Sequence, residues 1–255
     1  MVSPAELAQL AESAARAAGE ELVRRGGDVG RIDTKTSATD PVSEADRATE
    51  RLLTRMLREA RPDDGLLGEE GADQQGTSGL RWVLDPLDGT VNYLYGLPEW
   101  CVSVACEDAD GAVAAAVRNP LADESFTAAR GLGAFRNGEP IRVNDPVELD
   151  RALVATGFAY ASERRRSQAA VVARLLPRVR DIRRAGSCAL DLCRVAAGQV
   201  DAFYERHVHH WDWAAGALIA AEAGAVVTAD ADGNGGYSLV AGGPALHAAL
   251  IDIVG

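Results

Sequence analysis

From about residue 150 onward the chain alternates strand-like and helix-like segments, and that alternation leaves few folds open. Ala152-Leu153-Val154-Ala155 reads as a strand, a helix follows from near Ser162, and Asp181 to Arg183 reads as a strand again. A helix from Ser187 to Ala197 stops at Gly198, Asp201 to Tyr204 is a strand, Trp211 to Ala223 a helix, and Ala225 to Thr228 a strand. Strands and helices in this order bury their apolar faces as helices laid on sheets, a layered α/β fold. The first half is organised differently. Ser3-Pro4-Ala5-Glu6 carries an N-cap, a proline at the first helical position and a glutamate three residues after the cap, and Gly26-Gly27 ends the helix that follows. A second helix starts near Ser43, puts Leu52, Leu53, Met56 and Leu57 on its apolar side, and is closed by Pro62. Strand-like runs then come at Arg81 to Leu84, Cys101 to Cys106 and Ala112 to Val117, with strand plus turn at Gly131 to Gly138. With no repeat, low-complexity tract or linker, the expectation is one compact unit of two halves, 1–150 and 151–255.

At 255 residues the chain is long enough for a sizeable core, and 47% hydrophobic with 25% charged residues matches an ordinary globular protein. No apolar run approaches a membrane span, and the N-terminus lacks the pattern of an export signal, so the expected location is the cytoplasm, with no membrane partner. The net charge of −12 disfavours nucleic acid, whose phosphates are held mainly by Lys and Arg. Four cysteines, Cys101, Cys106, Cys188 and Cys193, lie in apolar surroundings without the tight spacing of a zinc site, and read as buried thiols.

Chemistry concentrates where one apolar strand ends. Arg81-Trp82-Val83-Leu84 runs into Asp85-Pro86-Leu87-Asp88-Gly89-Thr90, with carboxylates aimed at the crevice beyond the strand, where α/β proteins bind ligands. A plain Asp/Pro/Gly turn would give the same letters. Upstream, Gly68-Glu69-Glu70-Gly71 offers two more acids, of which one faces any given side in extended structure. Downstream, Asp212 opens a helix within Trp211-Asp212-Trp213, where its structural role would be that of an N-cap. If Glu69, Asp85, Asp88 and Asp212 converge, their repulsion calls for cations, and hard oxygen donors suit magnesium. Bound cations would also let an acidic protein hold a phosphate. His207, His209 and His210 crowd before Trp211, but no cysteine or second histidine cluster completes a zinc set. His247 stands alone in a C-terminal helix. Arg164-Arg165-Arg166 reads as a solvated face, and one of Arg183 and Arg184, before the turn at Gly186-Ser187, is placed to approach an anion.

Four segments in order, Asp40-Pro41-Val42-Ser43-Glu44-Ala45-Asp46, Gly68-Glu69-Glu70, Trp82 to Asn92, and Trp211-Asp212-Trp213-Ala214-Ala215-Gly216, resemble the inositol monophosphatase family over nearly the whole chain. Gly186-Ser187-Cys188-Ala189-Leu190-Asp191-Leu192 resembles its bacterial branch. The resemblance implies a layered α-β-α-β-α fold, a homodimer, and magnesium-dependent hydrolysis of inositol 1-phosphate or a similar polyol or sugar phosphate, with two or three Mg2+ ions. It assigns Glu69, Asp85 and the Leu87 carbonyl to a first magnesium and Asp85, Asp88 and Asp212 to a second, with Glu69 helping a third through water. Thr90 and Asp46 match the pair that orients and deprotonates the attacking water. Asp88, Gly89, Thr90, Ser187, Cys188 and Glu205 match positions around the substrate. Relatives commonly carry alanine at position 188, so Cys188 is expected to trim the pocket; His210 is a second departure.

Two alternatives stay open on the sequence. One is a phosphatase for histidinol phosphate, fructose 1,6-bisphosphate, a nucleotide or a 3′-phosphoadenosine phosphate, since related enzymes use the same core on these esters. The other is a regulatory homologue that binds a protein, as some bacterial relatives associate with the RNA-processing or transcription machinery.

Overall fold

The computed structural model describes residues 2–26, 32–34, 41–233 and 235–255. Asp40 of the first motif and Gly27 of the first helix stop lie outside them. Helices α1 (Pro4–Arg25) and α2 (Glu44–Ala60) flank the short strands β1 (Ile32–Thr34) and β2 (Pro41–Ser43). Next come β3 (Gly65–Gly68), β4 (Asp73–Gln74), β5 (Arg81–Asp88), α3 (Thr90–Leu94), β6 (Cys101–Asp108), β7 (Gly111–Asn119), β8 (Glu124–Ala129), β9 (Ala134–Arg136) and β10 (Glu139–Pro140). The remainder is β11 (Leu153–Thr156), α4 (Ser162–Leu175), β12 (Asp181–Arg183), α5 (Cys188–Ala196), β13 (Ala202–Val208), α6 (His210–Glu222), β14 (Val226–Ala231), β15 (Tyr237–Gly242) and α7 (Pro244–Val254).

Among the described residues the strands form a two-stranded ribbon and two larger sheets. The larger one runs β10-β9-β8-β7-β6-β5-β3-β4, and the other β12-β11-β13-β15-β14. Only β3–β5 is parallel in the first; in the second, β11 pairs parallel with β12 and β13.

Strand periodicity decides which helix each residue meets. Trp82 and Leu84, with Val102, Val104 and Cys106, pack against Leu7, Ala11, Ala14, Leu53 and Leu57 of α1 and α2. Their alternates Val83, Cys101 and Ala105 pack against Ala189, Cys193, Ala215 and Ile219 of α5 and α6. The opposite side of α5, through Leu192 and Val195, meets Ala155, Phe203 and Leu239 of the second sheet. That sheet's far face, Val154, Tyr204 and Val240, is covered by Val171 and Leu175 of α4 and Leu246 and Leu250 of α7. The result is five layers: helices, sheet, helices, sheet, helices. The central pair packs closely at Gly216, where a Cβ would stand 2.8 Å from Leu192 Cβ.

The expected strands and helices are present, and the structure adds some that sequence periodicity did not mark. β8 and β15 were not anticipated. β13 continues four residues past Tyr204 to Val208, through a register shift and a positive φ of 66° at His207.

Candidate active site

The site forms where β5 stops being regular. Asp85 faces Ser103 of β6, but the next pair in register is Asp88 with Cys101, so β5 carries an extra residue there. This is a β-bulge, which bends a strand and re-aims its side chains. Pro86 has no N–H to give to a ladder and is tolerated at such a bulge. The Leu87 N–H turns back onto Asp85 Oδ1 at 3.0 Å, and Gly89 follows with φ +96°. A side chain at position 89 would meet the Glu99 carbonyl oxygen at 2.8 Å as well as being strained, so glycine is required.

Thr90 opens α3, and its hydroxyl lies 3.1 Å from Asp46 Oδ1 and 3.1 Å from the Leu87 carbonyl oxygen. Asp46 sits in the first turn of α2 and is fully buried, at 0% exposure. The pair is 44 residues apart in sequence and joined only by the fold. Asp88 is held by the second half of the chain. Its Oδ2 accepts from Ser187 Oγ at 2.6 Å and Ala189 N–H at 2.7 Å, and its Oδ1 from Cys188 N–H at 3.3 Å. Ser187 is also the N-cap of α5, accepting from the Leu190 N–H at 3.2 Å.

Asp212 departs from its expected structural role. It is not the N-cap of α6 but the third helical residue, because the helix begins two residues earlier at His210. His209 is the N-cap, and its N–H donates to Asp212 Oδ2 at 2.7 Å, a capping box with aspartate in the glutamate position.

The acids act on one another. Burial first, then the charges of Glu69, Asp88 and Asp212, push the Asp85 carboxyl well above the usual range. Asp212 is raised for the same reasons, burial followed by Glu69 and Asp88. Asp88 is raised by burial to about 6, while the Ser187 and Ala189 hydrogen bonds hold it from rising further. Glu205 is pushed up to about 8 by burial and by the charges of Asp191 and Asp88, with Arg184 opposing. Thus Glu69, Asp85, Asp88 and Asp212 are electrostatic neighbours, with Glu205 and Asp191 beside them. Among the described residues, however, no three of His, Cys, Asp or Glu stand together as a ready-made metal shell. A cluster of hard oxygen donors, each raising its neighbours' pKa, nonetheless suits a cation that completes its shell with water and substrate oxygens, as magnesium does.

The remaining sequence candidates resolve into structure. His210 Nε2 is 2.8 Å from Glu107 Oε2, and Arg81 Nε donates to the same carboxylate at 2.7 Å. The His210 ring also packs edge-on against Trp213, so it ties the start of α6 to β6. His207 pairs with Asp232 at 2.8 Å, and His247 is buried with Nε2 2.9 Å from Thr228 Oγ1. All four cysteines are buried and free. Arg183 pairs with Asp181, whereas the Arg184 guanidinium lies beside Gly186 and Asn92. Sequence reasoning gave no role to Asp191, a carboxylate only 2% exposed and raised by burial to about 7 although it pairs with Arg194. Its signal was a lone acid in the apolar run Ala189-Leu190-Asp191-Leu192-Cys193.

Residues 3–252 match the inositol monophosphatase family. The chain belongs to that family. Its members are phosphatases, generally metal-dependent. Among relatives, the inositol-1-monophosphatase of Mycobacterium leprae is 50% identical over 218 residues, 82% of this chain and 74% of its own. The Nus factor SuhB of Xylella fastidiosa is 43% identical over 84% of this chain and 78% of its own. The solved structure of Mycobacterium tuberculosis SuhB superimposes with a TM-score of 0.87 at 42% identity, covering 100% of this chain and 97% of that one. No helix among the described residues is long and apolar enough to cross a membrane.

Proposed function

We propose that this family member is a magnesium-dependent phosphomonoesterase acting on inositol 1-phosphate or a similar small polyol or sugar phosphate. The observation that carries the reading is the Thr90 hydroxyl against the buried Asp46 carboxylate, set beside the mutually perturbed Asp85, Asp88 and Asp212. In this reading Glu69, Asp85 and the Leu87 carbonyl hold one ion, Asp85, Asp88 and Asp212 another, and Glu69 assists a third through water. When bound, the ions neutralise the phosphate, lower the pKa of the attacking water and steady the leaving oxygen.

The chain's own groups do the rest. Thr90 orients the water and Asp46 receives its proton through the threonine hydroxyl, while the water oxygen bonds to phosphorus, the ester P–O bond breaks and the leaving alcohol oxygen takes a proton from solvent water. Asp46 lies in the first turn of α2, where the helix dipole favours its ionised form. The backbone amides of Gly89 and Thr90, where α3 begins, would meet the phosphate oxygens. Glu205, Ser187 and Cys188 border the alcohol. Burial, with the charges of Asp191 and Asp88, raises the Glu205 carboxyl, and its oxygens can accept from a ring hydroxyl. We further read the protein as cytoplasmic and as a homodimer; the exposed Tyr95 and Leu97 beyond α3 support a contact surface for a second copy, and a monomer mass by sedimentation would refute the dimer.

Phosphate release from a panel of monoesters, with and without magnesium, tests the reading. Preference for inositol 1-phosphate that disappears with chelator supports it. Preference for histidinol phosphate, fructose 1,6-bisphosphate or a nucleotide keeps the mechanism and moves the substrate. A second reading, binding of a protein partner, is favoured by the relative named Nus factor SuhB. Retention of one specific partner by a protein whose acids are mutated, together with no release from any ester, would support it.

A further inference from the structure

We propose that Glu50 is a positioning residue: it fixes the loop carrying Glu69 against the helix that carries Asp46. This rests on the metal-ligand reading of Glu69. Glu50 lies one helical turn after Asp46 on α2, so both side chains project from the same face toward the sheet. It is only 6% exposed, and each of its oxygens accepts from a different backbone group. Oε2 accepts the Glu70 N–H at 2.7 Å and Oε1 the Ala72 N–H at 2.9 Å.

These two donors bracket the tip of the loop that leaves β3. The tip closes through the Gly68 N–H to the Ala72 carbonyl at 2.6 Å, and turns at Gly71 with φ +114°. Glu69 itself is tied to β5 by its N–H, 3.2 Å from the Leu84 carbonyl. Its peptide neighbours are therefore fixed from two directions, by β5 and by the Glu50 carboxylate. Gly68 belongs to the same arrangement, because a Cβ there would stand 2.2 Å from Glu50 Oε2. The outer side of Glu50 borders a groove of about 620 Å³ lined by Arg51, Arg55 and Arg58 together with Glu70, Gly71 and Ala72 of the same loop.

Only a carboxylate can do this. Glutamine has one acceptor oxygen, and its amide N–H2 would face the second backbone N–H donor to donor. Residues that orient metal ligands without touching the metal commonly change affinity by about 10- to 100-fold when lost. The expected phenotype of Glu50→Gln is therefore a magnesium midpoint raised by about 10-fold or more, with kcat at saturating magnesium kept within about threefold. A merely structural role would lower the melting temperature without that metal-rescued split.

The test uses the full chain. Magnesium binding is followed by titration calorimetry and by the metal-dependent shift in melting temperature, for wild type and Glu50→Gln, alongside kcat and KM at several magnesium concentrations. Amide hydrogen exchange over residues 68–72 is measured in both. A raised magnesium midpoint with rescue at high magnesium, and faster exchange at Glu70 and Ala72, supports the proposal. An unchanged midpoint overturns it. If Glu50→Gln does not fold, wild-type exchange decides: protected amides at Glu70 and Ala72 support the clamp, and free exchange overturns it. If the wild type binds no magnesium, the metal reading fails, and the exchange data still test the clamp separately.

Discussion

Ser187 does two jobs with one hydroxyl, and they can be separated. Its Oγ donates to Asp88 Oδ2 at 2.6 Å and accepts the Leu190 N–H at 3.2 Å as the cap of α5. Ser187→Ala removes both interactions. Ser187→Gly removes the Asp88 bond as well, yet glycine is nearly as good a cap as serine. The capping loss is about 1 kcal/mol for alanine and a few tenths for glycine. Both variants also lose the stability of the Asp88 bond, so the cap sets the difference between them: at about 2–4 °C per kcal/mol for a chain of this size, alanine should melt about 1–3 °C below glycine, without metal. The Asp88 bond is short and charge-assisted, a class worth about 1.5–3 kcal/mol. Asp88 keeps its Ala189 and Cys188 amides, so the carboxylate stays in place but turns more freely. The expectation is a magnesium midpoint raised by about 10-fold, or about 1.4 kcal/mol, and raised equally in the two variants. Calorimetric titration reads the midpoint and scanning calorimetry the stability. Magnesium midpoints within twofold of wild type in both variants would refute the role given to the Ser187–Asp88 bond, whatever the melting temperatures show.

Other perturbations probe other links. Asp88→Asn should abolish magnesium-dependent phosphate release, and undiminished turnover would remove Asp88 from the proposed metal set. Thr90→Val loses the hydroxyl between water and Asp46 and should lower kcat by about 10²- to 10⁴-fold, whereas Thr90→Ser, which keeps the hydroxyl, should recover most of it; equal rates for the two would exclude the relay. Asp64 is a stability test away from the site. It is 2% exposed and accepts from Arg61 Nε at 2.9 Å, Arg61 Nη2 at 3.0 Å and Trp82 Nε1 at 3.0 Å. Burial alone would raise its pKa, but the bonds from Arg61, Ser78 and Trp82 outweigh that and lower it below the ordinary 3.8. A lowered folded-state pKa contributes stability above the unfolded value that is lost as pH falls toward and through the folded one. Asp64→Asn should therefore cost about 2–3 kcal/mol at neutral pH, or about 4–12 °C, the partly exposed Arg61 softening the loss. Its stability should also fall less steeply than the wild type's below about pH 4; parallel acid-unfolding curves would contradict the assignment.

Local physics made much of this protein legible from its sequence. The capping box at Ser3, the apolar period of α1 and α2, and the strand–helix alternation after residue 150 each follow from neighbours a few residues apart. So does the bend after β5, because Pro86 and Gly89 restrict the backbone wherever they occur. β8 and β15 escaped notice because their residues, Ser125-Phe126-Thr127-Ala128-Ala129 and Tyr237 to Gly242, are small or mixed and become strands mainly by pairing with β7 and β13.

Tertiary structure decided everything that depends on distance. The chain shows that Thr90, Asp46 and Asp212 are present, but only the layering of α2 and α6 on opposite faces of one sheet brings them to the same end of β5. It also decided that Asp212 is the third residue of its helix and not its cap, because the Glu107–His210 contact anchors a start two residues earlier. The Glu50 clamp has no sequence signature beyond a glutamate one turn after an aspartate. A carboxylate becomes a clamp only when packing excludes water and leaves it two backbone donors, and that is a property of the folded loop, not of the letters.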